Sequence, residues 1–156
     1  MPKPLYQKNK FTKILINNVD LLKKLDDSIK INFDSKQYDD LEIYCDAEQI
    51  SRVIFNLIKN SIESIQQRAE NDSNLEKKIT IEVNEENNHI IIIIMDDGVG
   101  FGIFAANIKD ILNPYFTTKK NGTGLGLSIV NKIINDHNGK LSFIPISDGA
   151  KVEIIF

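Results

Sequence analysis

At 156 residues the chain has the length of one domain and can bury a sizeable core. With 42% hydrophobic residues, 26% charged residues and a net charge of -3, it has the make-up of an ordinary globular protein and lacks the broad basic field that grips nucleic acid. The longest apolar run, Ile90 to Met95, falls far short of the roughly 20 residues a membrane helix needs. The lysine-bearing N-terminus has no apolar stretch behind it, and the lone Cys45 permits no internal disulfide, so the expected location is the cytoplasm.

Residues 1–10 are polar, hold two prolines and read as a disordered linker. From Phe11 to Leu25, apolar residues recur at Ile14, Leu15, Val19, Leu22 and Leu25, which is helical spacing. Ile29 to Phe33 alternates as a half-buried strand does, and Leu41 to Cys45 is a second short strand, with Cys45 read as half-buried. Asp46 is placed as the N-cap of a long helix with Gln49 three positions on. That helix runs to about Ala69 on a core face of Ile50, Val53, Ile54, Leu57, Ile58 and Ile65. Ile79 to Val83 alternates strictly, Glu85 to Asn88 is a turn, and Ile90 to Met95 reads as a central strand covered on both faces. Asp97 to Gly126 is Gly-rich and weakly periodic, too long for an ordinary connection and of the kind that forms functional lids. A helix from Leu125 to His137 stops at Asn138-Gly139, and strands Lys140 to Pro145 and Ala150 to Phe156 close the chain through a turn at 147–149. The expected fold is α+β, a two-layer sandwich of one mixed sheet with helices on one face and a flexible lid; 11–156 form the domain.

Three segments carry chemistry. Asn56, Asn60 and Glu63 lie at i, i+4 and i+7 of the long helix and share a polar face. Alone that face reads as solvated, yet asparagine is a mediocre helix former, and a carboxamide oxygen suits Mg²⁺. Asp96-Asp97-Gly98-Val99-Gly100 follows the apolar strand. A carboxylate there can accept a hydrogen bond from an exocyclic amine, and the glycines admit a flat base, although Asp-Gly also makes plain turns. Gly122-Thr123-Gly124-Leu125-Gly126-Leu127 runs into a helix, where free amides and the helix dipole favour an anion. Lys119 and Lys120 add positive charge just upstream. The run is neither a Rossmann fingerprint nor a Walker A loop.

The combination is far more specific than its parts. Asn56-Leu-Ile-Lys-Asn60-Ser-Ile-Glu-Ser64 resembles the N box of histidine kinases, and Asp96 to Gly100 their G1 box. Pro114-Tyr-Phe-Thr-Thr-Lys119 is similar to the F box, and Gly122 to Val130 to the G2 box, all in the family's order. The run Asn113-Pro-Tyr-Phe-Thr-Thr-Lys-Lys120 looks most like the nitrogen-regulation (NtrY/NtrB-like) sensor kinases. The resemblance implies a Bergerat (GHKL) fold, ATP and Mg²⁺ as cofactors, and phosphoryl transfer to a histidine as the activity.

The implied roles are specific. Asn56 would be catalytic and contact nucleotide, Asn60 would bind Mg²⁺, and Asp96 would read the adenine amine. Gly98 and Gly100 would pass under the base. Phe116 would anchor the lid, Thr118 and Lys119 would line the nucleotide, and Gly122, Thr123, Gly124, Leu125 and Gly126 would hold the phosphates. Two departures stand out: Gly100-Phe-Gly-Ile-Phe104 lacks the proline often found after the second G1 glycine, and Glu63 stands where many members have lysine. Glu63 reads as a plain solvated residue, which leaves Lys119 or Lys120 to balance phosphate charge.

The family's acceptor is a histidine followed by an acidic residue. His89 precedes Ile90 and His137 precedes Asn138, so neither fits, and both read as structural or solvent-exposed. The expectation is a truncated or split kinase that transfers to a partner histidine in trans and acts indirectly on a response regulator. The chain would be a monomer, because the family dimerises mainly through the acceptor hairpin. Three other functions compete with this one. An anti-sigma-type serine kinase would have glutamate at the place of Asn56. A gyrase-, Hsp90- or MutL-like ATPase needs a general base there, which a carboxamide is not. A non-catalytic interaction module or kinase remnant would not need intact boxes.

Overall fold

The computed structural model of the chain describes residues 3–33, 40–100, 126–144 and 146–156. Strand β1 (Gln7–Lys10) leads into helix α1 (Phe11–Leu22); β2 (Lys30–Phe33) and β3 (Glu42–Cys45) precede the long helix α2 (Ala47–Ala69). The hairpin β4 (Lys78–Glu86) and β5 (His89–Asp96) follows, then helix α3 (Gly126–Asp136) and the closing pair β6 (Lys140–Ile144) and β7 (Ala150–Ile155). Five strands form one sheet in the order β2-β4-β5-β7-β6, with β2 parallel to β4 and every other pair antiparallel. A separate two-stranded ladder joins β1 to β3. The mixed sheet with helices packed on it is the expected α+β sandwich.

Helix α2 is the element the others share: it packs on α1, α3, β4 and β5. Its buried side chains Ile50, Val53, Ile54, Leu57, Ile58, Ile62 and Ile65 recur at helical spacing, so one apolar stripe faces the sheet. Against it lie Ile79, Ile81 and Val83 of β4, Ile90, Ile92 and Ile94 of β5, and Val152 and Ile154 of β7.

The structure corrects several expectations. Residues 7–10 are not linker: Gln7 pairs with Cys45 and Lys10 with Glu42, and the Asn9 side chain donates to the Cys45 carbonyl at 3.1 Å. The all-polar Gln-Lys-Asn-Lys segment has no apolar alternation of its own, and only its distant partner makes it a strand. Cys45 is fully buried rather than half-buried, and burial pushes its thiol up. Strand β5 is covered on one face only. Ile90, Ile92 and Ile94 are buried, whereas Ile91, Ile93 and Met95 on the opposite face are half-exposed beside Glu82, Glu153 and Lys151. Helix α1 ends at Leu22, three residues short of Leu25.

Two turns show how asparagine replaces glycine. The β4–β5 hairpin closes on Asn87 and Asn88 alone, both left-handed at φ 51 and 64, the backbone a two-residue turn of type I′ requires. After α3, Asn138 is left-handed at φ 58; its N–H reaches the Asn135 carbonyl and that of Gly139 the Ile134 carbonyl, a Schellman stop. Gly139 is needed for room, since a Cβ would lie 2.8 Å from the Ile155 carbonyl oxygen.

Candidate functional site

The pleat decides where Asp96 points. It continues the inward row of Ile90, Ile92 and Ile94, so β5 ends with a carboxylate under α2, 6% exposed. Desolvation pushes its pKa up, assisted by the neighbouring charge of Asp97. Hydrogen bonds from the Gly98 N–H, the Ser61 hydroxyl and the Ala150 N–H act against that rise. The Gly98 N–H lies 2.9 Å from Oδ1.

The turn after Asp96 is seated on the second half of α2. The Ser64 hydroxyl accepts from the Val99 N–H at 3.0 Å. The Arg68 guanidinium donates to the Asp97 carbonyl at 3.0 Å and to the Gly98 carbonyl at 3.4 Å, and meets Asp148 at 3.9 Å. The Asp97 N–H is taken by the Lys78 carbonyl at 3.3 Å. A Cβ on Gly98 would fall 2.6 Å from Ser64 Cβ. Helix packing therefore demands glycine at 98, whatever a ligand requires. Gly100 is left-handed at φ +75, and a Cβ on it would stand 2.6 Å from the Gly149 carbonyl oxygen. The β6–β7 turn thus lies directly against the Asp96 turn.

Asn56, Asn60 and Glu63 are half-buried on α2. Asn56, Asn60, Ser64 and Arg68 follow each other at four-residue intervals, so the stripe that carries the asparagines runs on to the turn below Asp96. That continuation was readable in the sequence as a repeated i+4 spacing; what Ser64 and Arg68 touch was not. Glu63 approaches Lys59 at 4.0 Å as an i, i+4 surface pair of small energetic weight. Gly126 opens α3, and a Cβ there would meet none of the described residues within 4 Å. Phe116, Thr118, Lys119, Lys120, Gly122, Thr123, Gly124 and Leu125 lie outside the described residues.

The two histidines are where a structural reading puts them. His89 is exposed at the start of β5. His137 Nδ1 lies 2.8 Å from the Ile133 carbonyl and its Nε2 accepts from the Asp46 N–H at 3.1 Å, so the ring is the neutral tautomer protonated at Nδ1. The Asp46 side chain accepts from the Gln49 N–H at 3.1 Å, the expected N-cap. The return bond of a capping box comes from His137 instead of Gln49.

Among the described residues no three His, Cys, Asp or Glu side chains gather to hold a metal. The neutral oxygen of Asn60 beside Asn56 is a weak donor set by itself. It fits a divalent cation that arrives with phosphate oxygens and keeps its waters, not a cation bound to protein alone.

A sheet of this order beneath a central helix, with a buried aspartate at a strand end bonded to that helix through Ser61, defines a GHKL-type ATPase-fold domain. Residues 45–156 match the family of histidine kinase-, DNA gyrase B- and HSP90-like ATPases, and the chain belongs to that family. It is 32% identical, over all its length, to an NtrY-like sensor histidine kinase of Rickettsia felis, of which it covers 25%. It is 30% identical to the nitrogen regulation protein NtrY of Azorhizobium caulinodans, over 99% of this chain and 20% of that one. The fold superposes on the catalytic domain of histidine kinase ThkA in a nucleotide-free form with a TM-score of 0.77, covering 97% of this chain and 95% of that one at 24% identity. The chain is thus a histidine-kinase-type ATPase domain and spans 20% to 25% of the length of these sensor kinases. No helix among the described residues is long and apolar enough to cross a membrane.

Proposed function

We propose that this domain binds Mg-ATP and donates the γ-phosphoryl group to a histidine on a separate acceptor domain, as the catalytic part of a two-component kinase that serves a response regulator. The observation that carries this reading is the buried Asp96 carboxylate on a preformed turn beside the Asn56–Asn60 stripe. One oxygen of Asp96 is held by the Gly98 N–H. The carboxylate retains acceptor capacity for the 6-amino group of adenine, and a carboxylate held dry makes that hydrogen bond strong.

The remaining roles follow from the chemistry of phosphoryl transfer, which asks for positioning and charge neutralisation more than for covalent work. Asn60 would hold Mg²⁺ jointly with the phosphates, and the ion would neutralise charge on the leaving ADP. Asn56 orients the reacting phosphate; its carboxamide takes no proton, so water is not activated and hydrolysis stays slow. The amides of Gly122 to Gly126 with Thr123 would cradle the phosphates, Thr118 and Lys119 would line the nucleotide, and Phe116 would anchor the lid. The acceptor imidazole nitrogen attacks the γ-phosphorus, the bond to the β-phosphate oxygen breaks, and ADP departs. A monomer acting in the cytoplasm is the form that fits such a donor.

Calorimetry with a non-hydrolysable ATP analogue tests the reading. The native chain is expected to bind with Mg²⁺-linked affinity, and Asp96→Asn to lose about 100-fold. Magnesium without nucleotide is expected to give no heat. A folded native chain that binds no analogue would refute the proposal. Transfer is then measured as acid-labile phosphate on an added acceptor domain, with none on this chain alone.

A further inference from the structure

The base-reading turn is held from below by Ser64, the last residue of the run that resembles the N box, and by Arg68, which no motif of the family resemblance includes. Five of its backbone polar groups have protein partners. The Asp97 N–H goes to Lys78, the Gly98 N–H to Asp96, the Val99 N–H to Ser64, and the Asp97 and Gly98 carbonyls to Arg68. The Arg68 side chain is 29% exposed and its other face meets Asp148 of the β6–β7 turn. One guanidinium therefore ties the last turn of α2 to the Asp97–Gly98 backbone and adds a weak ion pair to the exposed Asp148 of the β6–β7 turn. An arginine fork suits this task, because its planar donors reach two carbonyls and a carboxylate at once.

We propose that Arg68 and Ser64 are positioning residues for base selection: they act through the Asp97–Val99 backbone to fix the Asp96 carboxylate against a 6-aminopurine. A carboxylate held in one place accepts from the 6-amino group and repels the carbonyl oxygen of a 6-oxopurine. A carboxylate on a loosened turn does each less well. The discrimination between the two bases, rather than nucleotide affinity in general, therefore depends on this clamp. The inference rests on the nucleotide reading above.

The test is titration of the full chain with ATP and with ITP, each with Mg²⁺, for the native protein, Arg68→Ala, Arg68→Lys and Ser64→Ala. The native chain is expected to prefer ATP. Arg68→Ala is expected to lower that preference about tenfold by weakening ATP and leaving ITP nearly unchanged, as loss of one charge-assisted contact predicts. Arg68→Lys keeps the charge and one carbonyl contact and recovers part of the preference; Ser64→Ala, the mildest change, lowers it less. Should Arg68→Ala fail to fold, Arg68→Lys and Ser64→Ala carry the test. Equal weakening of both nucleotides, or an unchanged ratio in every folded variant, overturns the positioning role and leaves the nucleotide reading standing. A native chain that binds neither nucleotide overturns both.

Discussion

Two aspartates at opposite ends of α2 live under opposite electrostatic rules. Asp46 caps the helix start. Burial works against its charge, but N–H groups of Leu5, Gln49 and Glu48 outweigh that and hold its carboxyl below the usual range. Leu5 N–H reaches Oδ2 at 2.7 Å, and Tyr6, stacked on Tyr44 and edge-on to His137, donates to the Asp136 carbonyl at 2.7 Å. Asp96, below the second half of α2, is buried and pushed the other way, with fewer donors than its burial demands. The first carboxylate stabilises the fold; the second is an internal charge kept at a cost to the fold, the pattern expected of a binding group.

The difference can be broken by substitution. The largest effect belongs to Asp96→Asn. The folded-state pKa of Asp96 is raised, so the native state holds its proton more tightly than the unfolded chain, and stability contributed by this group falls as pH rises through the carboxylate range. Removing the charge at neutral pH is expected to leave the melting temperature unchanged or higher while the affinity for an ATP analogue falls. Scanning calorimetry with and without nucleotide checks both halves, and a marked drop in melting temperature would contradict the account of Asp96 as a costly charge.

Gly98→Ala comes next. The added Cβ meets Ser64 and forces either the turn or α2 to move, for about 1–3 kcal/mol in stability. The added Cβ meets the Ser64 side chain and also its backbone carbon at 2.7 Å, so the double change with Ser64→Gly is expected to recover only part of that loss. Chemical denaturation of the three variants measures it, and additive losses would show that the clash lies elsewhere.

The smallest effect is at the structural end. Asp46→Ala removes an N-cap and should cost about 1 kcal/mol of stability with nucleotide affinity untouched. Its folded pKa is lowered, so its contribution is present above the unfolded carboxylate pKa and disappears as pH falls through the folded one. Native and variant unfolding curves should therefore converge in acid; a constant gap at all pH values would assign the loss to something other than the charge.

Much of this was legible without coordinates. Helix α2 and its cap follow from period and from Asp46, because both are contacts within a few residues. The β4–β5 pair follows from alternation around two asparagines that tolerate a left-handed backbone. Asp96 and Asn60 could be singled out because their spacing and flanking residues are local features.

What the sequence by itself determined was thus the order of elements from α1 onward, the apolar stripe of α2 and the identity of the family. The tertiary structure alone decided the rest, since each point depends on residues far apart in the chain. The polar segment 7–10 becomes a strand through β3, and His137 displaces Gln49 from the cap of Asp46 because α3 ends beside the start of α2. Glycine is required at 98 by Ser64, and Arg68 joins two loops that meet only after β5 and β7 pair. Periodicity reports which face of an element is buried; only packing decides what that face will touch.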